Sequence, residues 1–355
     1  MNYKNYFDIP QPAPKCSGTG LIALDVVMNG DMTTAPKFWA GGSCGNVLAI
    51  LSYLGWEAYP IARLGKDDAA NKIRTDLDKS QVRLEFIESE ENVSTPIIIQ
   101  QIRIKAGGKP THRFKFVCPN CGASLPRYKA IIIKKAQQLL DKLPEVKNFY
   151  FDKVSPAAIE LASAIRVRGG LVFFEPSGIG NKLLFQKALQ TCHVLKYAHE
   201  RLGHIENLTK EVSPLLQVET LGSEGLRYRS RVGNSQLKQW QMLPAFKIDG
   251  FRDAAGSGDW CTAGIIHLLG RNGAAEFENA SEDDLVEALR FGQALAALNC
   301  CFEGARGGMY TLEKHYLKAA VDKVIVGDKT GEMILNTLPD QSNNVLEFVC
   351  PSCSK

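Results

Sequence analysis

Two groups of residues have the types and spacing to do chemistry. The first is Asp253-Ala254-Ala255-Gly256-Ser257-Gly258-Asp259, running directly into the apolar stretch from Trp260 to Leu269. Small residues at a helix start let the backbone pack closely and aim several N–H groups at one point. Those amides, with the helix dipole, favour a negative guest such as a phosphoryl group in transfer. Asp259, in the first helical turn, is placed to accept a proton from an attacking hydroxyl. A glycine loop followed by an acid that only complements the helix dipole has the same spacing. The motif alone leaves both readings open.

The second group is Cys118-Pro119-Asn120-Cys121-Gly122 together with Cys350-Pro351-Ser352-Cys353. A Cys-x-x-Cys turn presents two thiolates to one ion, and two such turns make a closed structural zinc site. Incidental thiols or redox pairs would show the same letters. The expectation is one Zn²⁺ held by Cys118, Cys121, Cys350 and Cys353, tying a C-terminal tail, 340–355, to the segment that ends at 118. The remaining cysteines (Cys16, Cys44, Cys192, Cys261, Cys300 and Cys301) are scattered and suit small buried hydrophobes. Paired knuckles and scattered thiols fit a reducing compartment, so a cytoplasmic location is expected.

Composition narrows the function classes. The 355 residues are 45% hydrophobic and 23% charged, with a net charge of +4, as in a soluble globular protein large enough for a sizeable core. That charge is too small to argue for nucleic acid or a membrane surface, so a zinc-knuckle nucleic-acid binder rests on the cysteines alone. No stretch approaches the ~20 apolar residues of a membrane span, and the first residues lack a signal-peptide run. There is no Gly-x4-Gly-Lys-Ser/Thr loop. Gly18-x-Gly20-x-x-Ala23 matches a dinucleotide fingerprint only superficially, because its glycines precede the expected strand.

The elements that must position these residues follow from periodicity. From about residue 145 strands alternate with helices: strands near 146–154, 171–174, 193–197 and 215–221, helices near 156–167 and 182–189. A hairpin-like segment follows at 226–246. This pattern predicts an α/β fold with a parallel sheet covered by helices on both faces. Two helices close it, 258–269 and one opening at the capping signal Ser281-x-x-Asp284. The first third differs, with a strand at 21–28, a helix at 46–54 and β-rich segments at 96–104 and 112–117. These suit a small sheet that could act as a lid, with lid segments 28–40 and 95–118 on a single domain spanning 1–355.

The Asp253–Asp259 motif resembles the Asp-Thr-x-Gly-Ala-Gly-Asp signature of the ribokinase-like (PfkB) family of carbohydrate kinases. Other landmarks of that family follow in order. Ala40-Gly41-Gly42-Ser43-Cys44-Gly45-Asn46 resembles its N-terminal glycine motif, and Arg63-Leu64-Gly65-Lys66-Asp67 its strand ending in Gly-x-Asp. Thr220-Leu221-Gly222-Ser223-Glu224-Gly225 resembles its nucleotide-side turn, and Gly304-Ala305 its late Gly-Ala element. The resemblance covers about residues 18–312.

The resemblance implies a three-layer α/β/α sandwich with a small β lid, and an enzyme that moves the γ-phosphoryl of ATP to a hydroxyl of a small sugar-like substrate. It implies Asp259 as base and the amides of Ala255, Gly256, Ser257 and Gly258 as anion hole. Asp25, Gly41, Gly42 and Asn46 would hold substrate hydroxyls. Thr220, Gly222 and Gly225 would lie along ATP, with Gly304 near the adenine. Asp253 and Ala255 would match the positions of a monovalent cation, K⁺, that many members bind. Mg²⁺ is expected because ATP brings it. Three departures stand out: Ala254 replaces the motif's Thr, Glu175-Pro176-Ser177 stands for Asp-x-Asn, and Lys196-Tyr197-Ala198-His199-Glu200-Arg201 lacks the Asn-x-x-Glu metal motif. Glu200 is the candidate for a magnesium-linked role. A nucleoside kinase on the same fold and a degenerate, metabolite-binding regulator are the rival readings. No nucleic-acid or membrane partner is expected, and a homodimer is left open.

Overall fold

The computed structural model of the protein describes residues 6–29, 36–104, 110–203, 205, 208, 214–233, 237–327 and 350–353. A nine-stranded sheet forms the centre. Its parallel part comprises β1 (Lys15–Thr19), β4 (Glu57–Gly65), β5 (Ile87–Glu90), β8 (Asn148–Phe151), β9 (Leu171–Phe174), β10 (Val194–Ala198) and β11 (Leu216–Thr220). Two antiparallel strands, β12 (Gly225–Ser230) and β13 (Leu237–Pro244), extend one edge. The spatial order is β13-β12-β11-β10-β9-β8-β1-β4-β5.

Register aligns the carboxyl ends of the inner strands. Thr19 pairs with both Ile61 and Phe151, Phe151 with Phe174, and Ala198 with Thr220. That edge is where open parallel sheets place their ligands. Being buried on both faces, the strands read as apolar runs, with Phe149, Phe151, Phe173 and Phe174 fully enclosed. Lys196, in the middle of β10, breaks that rule at 1% exposure.

A second sheet of four strands has the order β3-β2-β6-β7, from β2 (Ala23–Asn29), β3 (Lys37–Gly41), β6 (Ile97–Ile104) and β7 (Pro110–Lys115). It contains the described parts of the segments expected as a small sheet. Residues 30–35 and 105–109 of those segments, and 340–349 and 354–355 of the tail, lie outside the described residues.

The helices with a bearing on the site are α1 (Ser43–Tyr53), α2 (Asp68–Lys79), α4 (Pro156–Val167), α6 (His199–Leu202), α7 (Ser257–Leu269) and α9 (Glu282–Asn299). Among the others, α3 (Ile133–Leu140), α5 (Lys182–Thr191) and α8 (Ala274–Glu278) pack outside it. Caps follow local chemistry: Asp67 and Ser155 accept from amides of α2 and α4, and Ser281 with Asp284 closes a capping box on α9. Helices α7 and α9 cross closely because Gly264 meets Gly292; a Cβ at Gly264 would lie 2.6 Å from the Gly292 Cα. That contact seats α7, whose N-terminus carries the motif.

Four elements depart from the sequence reading. β1 was not anticipated, yet it is central, pairing with both β4 and β8. Its polar and small residues hide the periodicity, and Gly18 is needed because a Cβ there would lie 2.8 Å from the Tyr150 carbonyl oxygen. β4 and β5 join the main sheet, so the first third is split between two sheets. Finally, α3 follows the apolar run Ile131–Ile133, which carries no helical period of its own.

Candidate functional site

The site forms where the carboxyl edge of the main sheet meets the small sheet and the N-terminus of α7. Gly256 caps α7 with φ 71°, a left-handed conformation that favours glycine. A Cβ there would also collide with the carbonyl of Ala305. Asn299, at the end of α9, braces the turn by donating from Nδ2 to the carbonyls of Ala255 and Ala305, each at 3.2 Å. The Trp260 indole donates to the Ala305 carbonyl at 3.1 Å. Gly304-Ala305 is thus the floor of the loop.

Asp259, half-buried, accepts from Asn46 Nδ2 at 2.7 Å. Burial raises its pKa to about 7, Glu175 adds to the rise, and the Asn46 bond and Lys196 oppose it. Asn46 is 4% exposed, and its Oδ1 has no partner among the described residues. Asp152 follows β8 and is equally enclosed. Its Oδ1 accepts from the Leu21 amide at 2.9 Å, while Oδ2, 3.9 Å from Lys153 Nζ, has no hydrogen-bond partner among the described residues. Burial pushes its pKa up to about 6, with Lys153 and the Leu21 amide opposing. Two orphaned acceptors therefore lie in the pocket of the raised carboxylate. Buried groups of this kind are normally satisfied by protein, water or ligand.

Asp25, on β2, is 7% exposed. Burial raises its pKa to about 7 against the Arg306 guanidinium and the Gly42 amide. Gly41 pairs with Ala23 at the end of β3, and a Cβ on it would overlap the Asp25 carboxylate. Gly42 turns the chain into α1 with φ 78°. Arg306 is enclosed, bonded to the Ala40 carbonyl and Asp76, which fixes the approach of β3. The structure thus brings Asp25, Gly41, Gly42, Asn46 and Asp259 together.

Sequence reasoning gave no site role to the pair Glu175–Lys196 or to Asp152. Lys196 Nζ contacts Glu175 Oε1 and donates to the Gly258 carbonyl at 3.1 Å. Glu175 Oε2 accepts from Thr262 Oγ1 at 2.6 Å and from the Tyr150 hydroxyl at 3.2 Å. Burial works against the lysine's charge, yet the carboxylate outweighs it and its pKa stands above the ordinary value. A lysine inside an apolar parallel strand was the available signal. Glu200, by contrast, is exposed in the first turn of α6, and no described contact joins it to Asp259.

Of the residues expected along ATP, Thr220 ends β11, and Gly222 and Gly225 turn the chain into β12 with φ 61° and 112°. Gly304, expected near the adenine, packs against the small sheet. A Cβ on it would strike the Trp39 ring of β3, and its amide donates to Asp253 Oδ2 at 3.0 Å. The structure places it between the small sheet and the glycine loop.

Asp253 is 3% exposed and accepts from the Ala255 amide at 3.0 Å and from Gln100 Nε2 at 2.7 Å, besides Gly304. The Ala255 carbonyl accepts from Asn299. Asp253 Oδ1 and the Ala255 carbonyl oxygen each take one of these donors, and an oxygen of either kind has a second lone pair that a cation such as K⁺ can use.

The four knuckle cysteines converge. Cys118 and Cys353 sulfurs are 3.7 Å apart, Cys121 and Cys350 sulfurs 3.8 Å, and all four lie within 4.8 Å of one another. Tetrahedral Zn–S bonds of about 2.3 Å put thiolates about 3.8 Å apart, so the donor set fits a metal ion. The turns are of the expected kind, with the Gly122 amide on the Cys118 carbonyl and the Cys353 amide on the Cys350 carbonyl, each at 3.0 Å. Cys118 and Cys350 line a small cavity with Val26, Phe38, Ile97 and Ile99, on the back of the sheet that carries Asp25.

Comparison with known proteins places this geometry. A search of curated protein sequences gives no match. Among solved structures, fructokinase from Xylella fastidiosa with bound ATP is similar at 16% identity, covering 93% of this chain and 99% of that one, TM-score 0.63. Aminoimidazole riboside kinase from Salmonella enterica, complexed with aminoimidazole riboside and an ATP analogue, is similar at 19% identity, covering 86% and 99%, TM-score 0.64. A fructokinase double mutant from Vibrio cholerae, in a fructose-, ADP- and potassium-bound form, is similar at 15% identity, covering 87% and 98%, TM-score 0.63. At these identities the likeness is one of fold, the ribokinase-like α/β architecture with its second small sheet. The pfkB family carbohydrate kinase model matches residues 31–312, a span holding both glycine loops, Asp259 and the Thr220–Gly225 turn, and the chain belongs to that family.

Proposed function

We propose that this ATP-dependent carbohydrate kinase phosphorylates a hydroxyl of a small, uncharged, sugar-like substrate, with Asp259 as general base. The observation that carries the reading is the surroundings of Asp259: its carboxyl is held by Asn46, and two enclosed acceptors, Asn46 Oδ1 and Asp152 Oδ2, have no hydrogen-bond donor among the described residues. Enclosed acceptors call for a guest rich in O–H donors. Asp25 adds another carboxylate, while the nearby cations Lys196, Arg306 and Lys153 pair with Glu175, Asp76 and Asp152. Carboxylates outnumber cations there (Asp25, Asp76, Asp152, Glu175 and Asp259 against Lys153, Lys196 and Arg306), which disfavours an anionic sugar phosphate or acid. Asp25, Gly41, Gly42 and Asn46 hold the substrate, and the amides of Ala255 to Gly258 receive the transferring group. Thr220, Gly222 and Gly225 flank ATP, whose phosphates bring Mg²⁺. Gly304 supports the loop.

The small sheet of β2, β3, β6 and β7 serves as a lid on a single domain, excluding water that would otherwise accept the phosphoryl group. One Zn²⁺ on Cys118, Cys121, Cys350 and Cys353 pins the tail to the back of that lid. With four thiolates it has no open position, so its role is structural.

The test is ATP turnover with fructose, ribose, ribosides, sugar phosphates and sugar acids. Turnover is expected with an uncharged sugar or riboside. Preference for a phosphorylated or acidic sugar would overturn the substrate class, and ATP turnover with none would favour a regulatory, metabolite-binding role.

A further inference from the structure

We propose that Lys196, clamped by Glu175, is the positioning residue of the phosphoryl-transfer loop: it holds the Gly258 peptide so that the Asp259 N–H faces the anion site. The inference rests on the kinase reading above, and neither residue belongs to the motif that suggested that reading.

Lys196 is the one charged residue of β10, at 1% exposure. Burying an ammonium is costly unless it is paired and hydrogen-bonded. Its partners are specific: Glu175 at the end of the neighbouring strand and the carbonyl of Gly258 at 3.1 Å. Glu175 is in turn fixed by Thr262 of α7 and Tyr150 of β8. The pair lies beneath the Gly258 peptide, since a Cβ on Gly258 would be 3.7 Å from both Glu175 Oε1 and Lys196 Nζ.

A trans peptide points its C=O and the following N–H in opposite directions. Tethering the Gly258 carbonyl to the sheet therefore turns the Asp259 N–H away from it. In the first turn of a helix that N–H has no partner within the helix, and it is left for an anion. The ammonium also lies close behind the loop, where water does not screen it and its attraction for a phosphoryl group is strong. Glu175, Asp259, Asp152, Cys261 and Tyr150 are titratable groups that face this spot.

The test uses no sugar. Binding of Mg·AMP-PNP and Mg·ADP is measured by titration calorimetry for the wild type, Lys196→Met and Lys196→Arg. Only AMP-PNP carries the γ-phosphoryl group that the loop receives. Lys196→Met is expected to weaken AMP-PNP by at least about tenfold and ADP by less than about threefold, with Lys196→Arg recovering most of the difference. If Lys196→Met leaves the buried Glu175 unpaired and fails to fold, Lys196→Met/Glu175→Gln removes the pair together, and the same selective loss is expected. A variant with the wild-type ratio of the two affinities overturns the inference, as does an equal loss of both nucleotides. A wild type that binds the two equally also overturns it, because the loop then holds no γ-phosphoryl group. A wild type that binds neither overturns the kinase reading itself.

Discussion

Asn46 Nδ2 donates to Asp259 Oδ2 at 2.7 Å, joining residues 213 positions apart. One stands on the helix after the first glycine loop and the other on the helix after the second. The bond aims the candidate base into the pocket and leaves the other face of the Asn46 amide for a ligand. If Asp259 takes the proton of the acceptor hydroxyl, Asp259→Asn should lower turnover by roughly 10²-fold or more, with Mg·ATP affinity little changed. A variant within about threefold of wild type in turnover would remove Asp259 from the chemistry.

The pH dependence has a definite sign. Burial and then Glu175 raise the Asp259 pKa from 3.8 to about 7. A base works only when deprotonated, so turnover should fall as pH drops below about 7. For folding, the native state holds this proton more tightly than the unfolded chain, so stability is lost as pH rises from 3.8 to about 7. Asp259→Asn should accordingly melt above wild type at pH 8, with the gap closing toward pH 5, as read by thermal unfolding in matched buffers.

Asp25 offers a separate handle on the substrate. Each hydrogen bond lost from a bound polyol costs about 1–3 kcal/mol. Asp25→Ala is therefore expected to raise the KM for sugar far more than that for ATP. Parallel rises in both constants would place Asp25 outside the sugar pocket.

Gly256 tests the loop geometry. Its φ of 71° costs a residue bearing a Cβ about 1–2 kcal/mol, and the added collision is with backbone, the Ala305 carbonyl, which cannot swing aside. Gly256→Ala should lower the melting temperature and abolish most turnover. An active, equally stable variant would mean the loop can adopt another shape.

For the metal, elemental analysis of protein purified without chelator should give about one zinc per chain, because thiolate knuckles bind it tightly. Cys353→Ser should lower both zinc content and melting temperature, and should act on turnover only through the sheet that carries Asp25. Metal-free protein with all four thiols open to titration would remove the site and leave the kinase reading standing.

The linear sequence by itself determined the family, the alternation of strands and helices after residue 145 and the Cys-x-x-Cys turns. These are local: a glycine at positive φ, an apolar run or a turn of four residues depends on neighbours in the chain. Only the tertiary structure decided what meets across distance. β1 was invisible because its pairing with β4 and β8, not its own periodicity, makes it a strand. Glu175 read only as a stand-in for Asp-x-Asn, and Lys196 only as the residue before an altered metal motif, until folding set them under Gly258. Gly304 met the Trp39 ring, and Asp253 met Gln100 of the small sheet. Asp152 showed no pattern at all, because the enclosure that raises its pKa is built from other elements. Such contacts depend on the packing of segments far apart in sequence, and spacing along the chain carries no record of them.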